Sequence, residues 1–278
     1  SWGTALGTAY ARLYPERVGR MVLDGAMDPS VTGSDTGAAQ AIGFEASLGV
    51  FAEACANSDS CPFRGDADDV LADIGSLLAR VDARPIAAGD GRRLGASTLL
   101  TAITQNLYVP QGWPTLEALL AETDDGRADA AFASADAYNR RVGDGYLDNT
   151  TEAFTAYNCR DYPVDPLEVQ EAARERVLRQ APVTGEYWFG PDACALWPAP
   201  STAVREPVHA PGAAPILVVG TTGDPATPYD WAVSLADQLD SGVLVTRVGE
   251  GHTGYLQGND CVDAAVEAYF VDDVVPGS

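Results

Sequence analysis

Apolar positions in residues 4–14 recur at helical spacing, with Leu6, Ala9, Tyr10 and Leu13 on one stripe, while Gly3 and Gly7 leave a bare face for close packing. Pro15 ends that helix. Residues 20–24, RMVLD, are a short apolar run between Gly19 and Gly25 and read as a buried parallel strand. Asp24 and Asp28 then open a loop at Pro29. Beyond it the pattern changes. Residues 38–54, 68–81, 97–107, 116–123, 127–139 and 166–178 are amphipathic at the helical period, with Gly, Pro and Asp turns between them and no predicted strand. The aromatics of this stretch, Trp113, Tyr138, Tyr157, Trp188, Phe189 and Trp197, are expected in its core. Strand patterning returns after a Pro-rich connector at 198–215. PILVVG at 215–220 reads as a buried strand, 227–239 as a helix beginning beside Pro228, VLVTRV at 243–248 as a second strand, and 262–270 as a final helix. The chain therefore divides into a β/α start at 1–29, a helical insertion at 30–205 and a β/α finish at 206–278. The predicted class is α/β.

The chain holds 278 residues with 17 basic and 40 acidic side chains, a formal net charge of −23, and every basic residue is arginine. Such a surface repels phosphate, which makes nucleic acid and anionic membrane surfaces poor partners and favours a cationic group such as a peptide α-amine. No run of eighteen apolar residues occurs, so no membrane span is predicted. The two histidines, His209 and His252, and five cysteines have no zinc-ligand spacing, so no metal site is predicted. Cys55 and Cys61 could close a short loop, and Cys159 and Cys194 a longer one, which suits an oxidising compartment; five free thiols are the alternative.

Candidate chemistry lies in loops after the two late strands: Asp224 in GTTGDPATP and His252 in GEGHTGY. In parallel α/β sheets ligands bind outside the carboxyl ends of strands. A carboxylate and an imidazole on neighbouring strand ends can hydrogen-bond, the acid fixing the ring tautomer and stabilising the imidazolium. Ser1, followed by Trp2, Gly3 and a helix, has the form of the second half of a G-x-S-x-G nucleophile elbow, and the order Ser, Asp, His is that of α/β-hydrolases. Each residue also has a plainer role open to it. Ser1 could be a mere chain boundary, Asp224 an Asx-turn and His252 a solvated loop residue, while His209 reads as structural. Asp24 and Asp28, read as loop caps, are rival acids.

At these residues the sequence resembles a known family. SWGTALGTAYARLYPERVGRMVLDGAMDP, PILVVGTTGDPATPYDWAVSLADQL and GEGHTGYLQGNDCVDAAVEAYFVDDVVP are similar to the elbow and C-terminal parts of tripeptidyl-aminopeptidase-like α/β-hydrolases, relatives of prolyl iminopeptidases. FAEACANSDSCPF and AYNCRDYP resemble the cap of that family. The resemblance implies an α/β-hydrolase lacking its N-terminal strands and bearing a large helical cap. It implies a secreted or cell-envelope serine exopeptidase acting on peptides with a free N-terminus, without cofactor. Ser1 becomes the nucleophile, Asp224 the acid, His252 the base, and the Trp2 N–H an oxyanion donor. Asp161 and Glu186 are candidate partners for a substrate α-amine. The expected bridges are Cys55–Cys61 and Cys159–Cys194, with Cys261 free here, and the resemblance suggests that its partner lies beyond Ser278. The family's earlier strands and second oxyanion donor precede the elbow. The chain is thus expected to be the C-terminal part of the enzyme, inactive in isolation and partnered by the missing N-terminal part. An esterase with the same triad, an N-terminal nucleophile hydrolase using the α-amine of Ser1, and a non-catalytic interaction fragment are the competing readings. The helix after Ser1 counts against the N-terminal nucleophile, which needs a β-rich surround.

Overall fold

The structure, a computed structural model, describes residues 2–190 and 193–277, with backbone alone for Ala193. In chain order its elements are α1 (Trp2–Leu13), β1 (Met21–Asp24), α2 (Gly33–Ala56), α3 (Ala67–Ala83), β2 (Ile86–Ala87), β3 (Arg93–Leu94), α4 (Ala96–Leu107), α5 (Trp113–Asp124), α6 (Asp129–Tyr138), β4 (Arg141–Val142), β5 (Gly145–Tyr146), α7 (Thr150–Asp161), α8 (Leu167–Gln180), β6 (Ile216–Gly223), α9 (Tyr229–Gln238), β7 (Gly242–Glu250) and α10 (Asp260–Asp272). They form two compact units, one of residues 1–43 and 204–278 and one of residues 44–203.

The first unit is built on a parallel sheet of order β1-β6-β7, with Met21 opposite Ile216, Asp24 opposite Val219 and Val218 opposite Leu244. Alternation along the strands sends side chains to two faces. Met21, Leu23, Ile216, Val218 and Leu244 pack with Ala11 of α1 and with Ala232 and Leu235 of α9. Val22, Val219 and Val245 pack with Val262 and Val266 of α10. β6 is covered on both faces, which is why PILVVG carries no polar alternation. Tyr269 of α10 stitches the strand starts together: its hydroxyl donates to the Pro215 carbonyl at 2.6 Å and accepts the Met21 N–H at 2.8 Å.

α1 does not bury its apolar stripe. Leu6 and Leu13 are exposed, and the packed face is the small one, with Thr4, Thr8 and Ala11. A Cβ on Gly7 would fall 2.7 Å from Leu23 Cδ2, so glycine sets how closely α1 approaches β1, whereas a Cβ on Gly3 would meet nothing within 4 Å.

The second unit is helical, and its core includes Phe51, Ile74, Leu77, Leu99, Ile103, Leu116 and Leu119. α3 opens with a capping box: the Asp66 carboxylate accepts from the N–H groups of Asp68 and Asp69, and Asp69 reciprocates. Disulfides join Cys55 to Cys61 and Cys159 to Cys194, and Cys261, in the first unit, is free and exposed. Three expectations for this stretch need correction. Two short antiparallel hairpins, β2–β3 and β4–β5, occur where no strand was predicted, because two-residue strands are too short to show alternation. α7 was not predicted: its sequence, TTEAFTAYNCRD, buries only Cys159 and so carries no apolar stripe. Tyr138 and Tyr157, expected in the core, are exposed. No helix among the described residues is long and apolar enough to cross a membrane.

Candidate active site

The carboxyl ends of the three parallel strands converge on one polar cluster. Asp224 follows β6, the central strand, and folds back as an Asx-type turn: Oδ1 accepts the N–H of Ala226 at 2.9 Å and of Thr227 at 2.8 Å. Oδ2 accepts the Thr227 hydroxyl at 2.9 Å and the Thr253 N–H at 3.1 Å. His252 Nδ1 lies 3.0 Å and 2.9 Å from the two oxygens. The Asp224 side chain is 0% exposed and that of His252 15%. The turn proposed as the plain alternative for Asp224 is therefore real, and the same carboxylate also holds the histidine.

Burial pushes the Asp224 carboxyl up, but the hydrogen bond and charge of His252 and the backbone donors of Thr227 and Thr253 outweigh it, leaving the group below its ordinary range. With every donor around it aimed at an ionised acid, Asp224 accepts the Nδ1 proton of His252. The neutral ring then keeps its lone pair on Nε2, the state a general base needs.

His252 rests on Gly25. At φ +66° this residue occupies the left-handed region, and a Cβ there would fall 2.8 Å from His252 Cε1, 3.2 Å from Thr227 Oγ1 and 3.3 Å from Thr253 Cγ2. Gly25 closes the floor beneath the imidazole, a role that its position after RMVLD did not reveal. Asp24, just before it, accepts the N–H of Gly254 at 2.8 Å and of Tyr255 at 2.9 Å. Burial raises its carboxyl above the ordinary range, against the two backbone bonds and the nearby His252. Asp28, the other rival acid, caps its loop, taking the Ser30 N–H and hydroxyl at 2.8 and 2.6 Å and a Gln238 amide hydrogen at 2.9 Å.

Of the remaining sequence candidates, Ser1 lies outside the described residues. Trp2 is the first residue of α1. Asp161 ends α7 and is half-buried, and Glu186 sits exposed in the 3₁₀ turn Gly185–Tyr187, both in the helical unit. His209 is exposed, 3.9 Å from Asp240 and apart from the cluster in hydrogen bonding. No group of three or more His, Cys, Asp or Glu among the described residues could hold a metal ion.

Residues 181–278 match the family described as TAP-like protein, and residues 1–67 match the α/β hydrolase fold. Serine protease Hip1 of Mycobacterium tuberculosis is 38% identical over 290 residues, covering 100% of this chain and 56% of the relative. Carboxylesterase B of the same organism is 38% identical over 263 residues, covering 92% and 50%. Tripeptidyl aminopeptidase of Streptomyces lividans is 25% identical over 282 residues, covering 98% and 51%. The chain spans about half the length of these relatives. The matched segments, residues 1–67 and 181–278, identify this chain as α/β-hydrolase in fold at its start and TAP-like in its C-terminal part.

Proposed function

We propose that the full-length protein is a serine peptidase that removes short segments from peptide N-termini, with Ser1 as nucleophile, His252 as general base and acid, and Asp224 as the acid that orients it. One observation carries the reading: a fully buried carboxylate, locked by three backbone N–H groups and a hydroxyl, holds His252 Nδ1 at 2.9 Å over the end of the central strand.

In this mechanism Nε2 takes the Ser1 hydroxyl proton as Oγ attacks the scissile carbonyl. The imidazolium is stabilised by ionised Asp224, which keeps its own charge because every donor around it favours the carboxylate. The Trp2 N–H donates to the developing oxyanion. His252 then gives its proton to the leaving amine. In the second half it activates water against the acyl-enzyme and regenerates Ser1. Residues 30–205 act as a substrate-selecting cap, with Asp161 and Glu186 as acidic candidates for the substrate α-amine. The two disulfides support a location outside the cytoplasm, secreted or in the cell envelope.

Esterase chemistry is the second reading, favoured by the name of the second relative quoted above. The test compares three chromogenic substrates on the full-length protein: a tripeptidyl 4-nitroanilide with a free N-terminus, its N-acetylated form, and 4-nitrophenyl butyrate. The peptidase reading expects the free anilide to be cleaved with kcat/KM at least about tenfold above the acetylated one. Turnover of the ester alone supports the esterase.

A further inference from the structure

The loop that carries His252 opposes its own conformation. Gly249, Gly251 and Gly258 have φ of 152°, 102° and 76°, and two residues with side chains, Thr253 at 71° and Leu256 at 59°, also sit in the left-handed region. For a residue with a Cβ this region is unfavourable relative to ordinary backbone. Such strain persists only where the surroundings impose it. The loop must also travel: it leaves β7 on one side of the sheet, yet His252 has to lie over Asp224 at the end of β6.

Two charged side chains impose this path, from opposite sides of the histidine. Asp24, at the end of β1 on the far edge of the sheet, takes the N–H groups of Gly254 and Tyr255. Arg247, on β7 itself, donates from Nη1 to the Glu250 carbonyl at 2.9 Å and from Nη2 to the Gln257 carbonyl at 3.2 Å. The order β1-β6-β7 makes the consequence geometric: a loop anchored to β7 by Arg247 and drawn to β1 by Asp24 must cross the end of β6. Thr221, on β6, fixes the crossing point by donating to the Thr253 carbonyl at 2.8 Å.

We propose that Asp24 and Arg247 are positioning residues for His252, a two-ended clamp on backbone groups that sets the imidazole over Asp224. The proposal rests on the reading of His252 as the base. It assigns to Asp24 a task different from that of a rival triad acid: its two oxygens serve the loop backbone rather than the ring.

The test uses the full-length protein labelled with ¹³C-histidine and compares D24N, R247K and H252A. D24N keeps the shape but turns one acceptor into a donor facing an N–H, and R247K keeps the charge but loses the two-pronged reach. Three readouts are taken: the rate of labelling by a fluorophosphonate, the His252 ring resonances (identified by their loss in H252A), and Tm. Positioning predicts that D24N and R247K each label about 10- to 100-fold more slowly, the order of loss for a misplacement near 1 Å. Their His252 signals should shift or broaden while that of exposed His209 stays put. A lowered Tm with labelling within about twofold of wild type and unmoved His252 signals would make both residues merely structural and overturn the proposal. If D24N does not fold, R247K decides on the same readouts. Wild-type labelling in H252A would instead sink the reading of His252 as base, an outcome distinct from failure of the clamp.

Discussion

Replacing Asp224 with asparagine tests the electrostatic logic of the site with almost no change of shape. If the new amide nitrogen took the Oδ1 position it would face the N–H groups of both Ala226 and Thr227. At the Oδ2 position it would face the Thr253 N–H, while the Thr227 hydroxyl can rotate to accept from it. The second orientation is therefore the cheaper, leaving one buried donor opposed, at about 1–3 kcal/mol of stability. It also presents N–H to His252 Nδ1, which responds by accepting that bond and moving its own proton to Nε2. The base then has no lone pair for the nucleophile. Loss of the correct tautomer in a Ser-His-Asp site lowers kcat by roughly 10⁴, about 5 kcal/mol of transition-state stabilisation. The assay is kcat on the preferred chromogenic substrate with full-length D224N, alongside ¹³C and ¹⁵N signals that report the His252 tautomer. A fall of less than about tenfold, with Nδ1 still protonated, would refute the reasoning.

Three further outcomes follow from the same geometry. Gly25→Ala should cost about 1–2 kcal/mol for the left-handed backbone and displace the imidazole, so kcat should fall well beyond what the loss of Tm explains; wild-type kcat would remove Gly25 as the floor of the site. Because the native Asp224 carboxyl titrates below its unfolded value near 3.9, stability from this group is present above about pH 4 and is lost as pH falls through the lowered native value; the acid limb of Tm against pH should be shallower in D224N, and an unchanged limb would contradict the shift. Thiol titration of the denatured, unreduced segment should find one reactive cysteine, Cys261; on chain-entropy grounds, removing the Cys159–Cys194 bridge, with a sequence separation of 35, should cost roughly 4 kcal/mol, and the Cys55–Cys61 bridge, with a separation of 6, roughly 2.

What the sequence disclosed and what it hid divide along a physical line. β6 was visible because a strand covered on both faces must be continuously apolar, β1 and β7 because each carries a short apolar run, and strand ends in a parallel sheet are where polar groups meet ligands. That logic found Asp224 and His252. It could not find the clamp, because Asp24 and Arg247 act on backbone N–H and C=O groups, which every residue carries and no motif marks. Gly25 was visible only as the edge of a strand, since the ring it supports lies more than two hundred residues further on. In α1 the bare face expected for close packing is the packed one at Gly7, beside Thr8 and Ala11, and it lets the helix approach the sheet more closely than large side chains allow, so Leu6 and Leu13 are left outside. α7 and the hairpin β4–β5 escaped notice because they bury too little to impose a period.

The central claim is that Ser1, His252 and Asp224 form one catalytic unit, and covalent labelling tests it most directly. Full-length wild-type protein is treated with a fluorophosphonate, digested and mapped by mass spectrometry, beside H252A and D224N. The triad predicts a single phosphonyl adduct on Ser1, slowed by at least about a thousandfold in H252A and strongly in D224N. An adduct on another residue, or labelling of Ser1 at the wild-type rate in H252A, would contradict it.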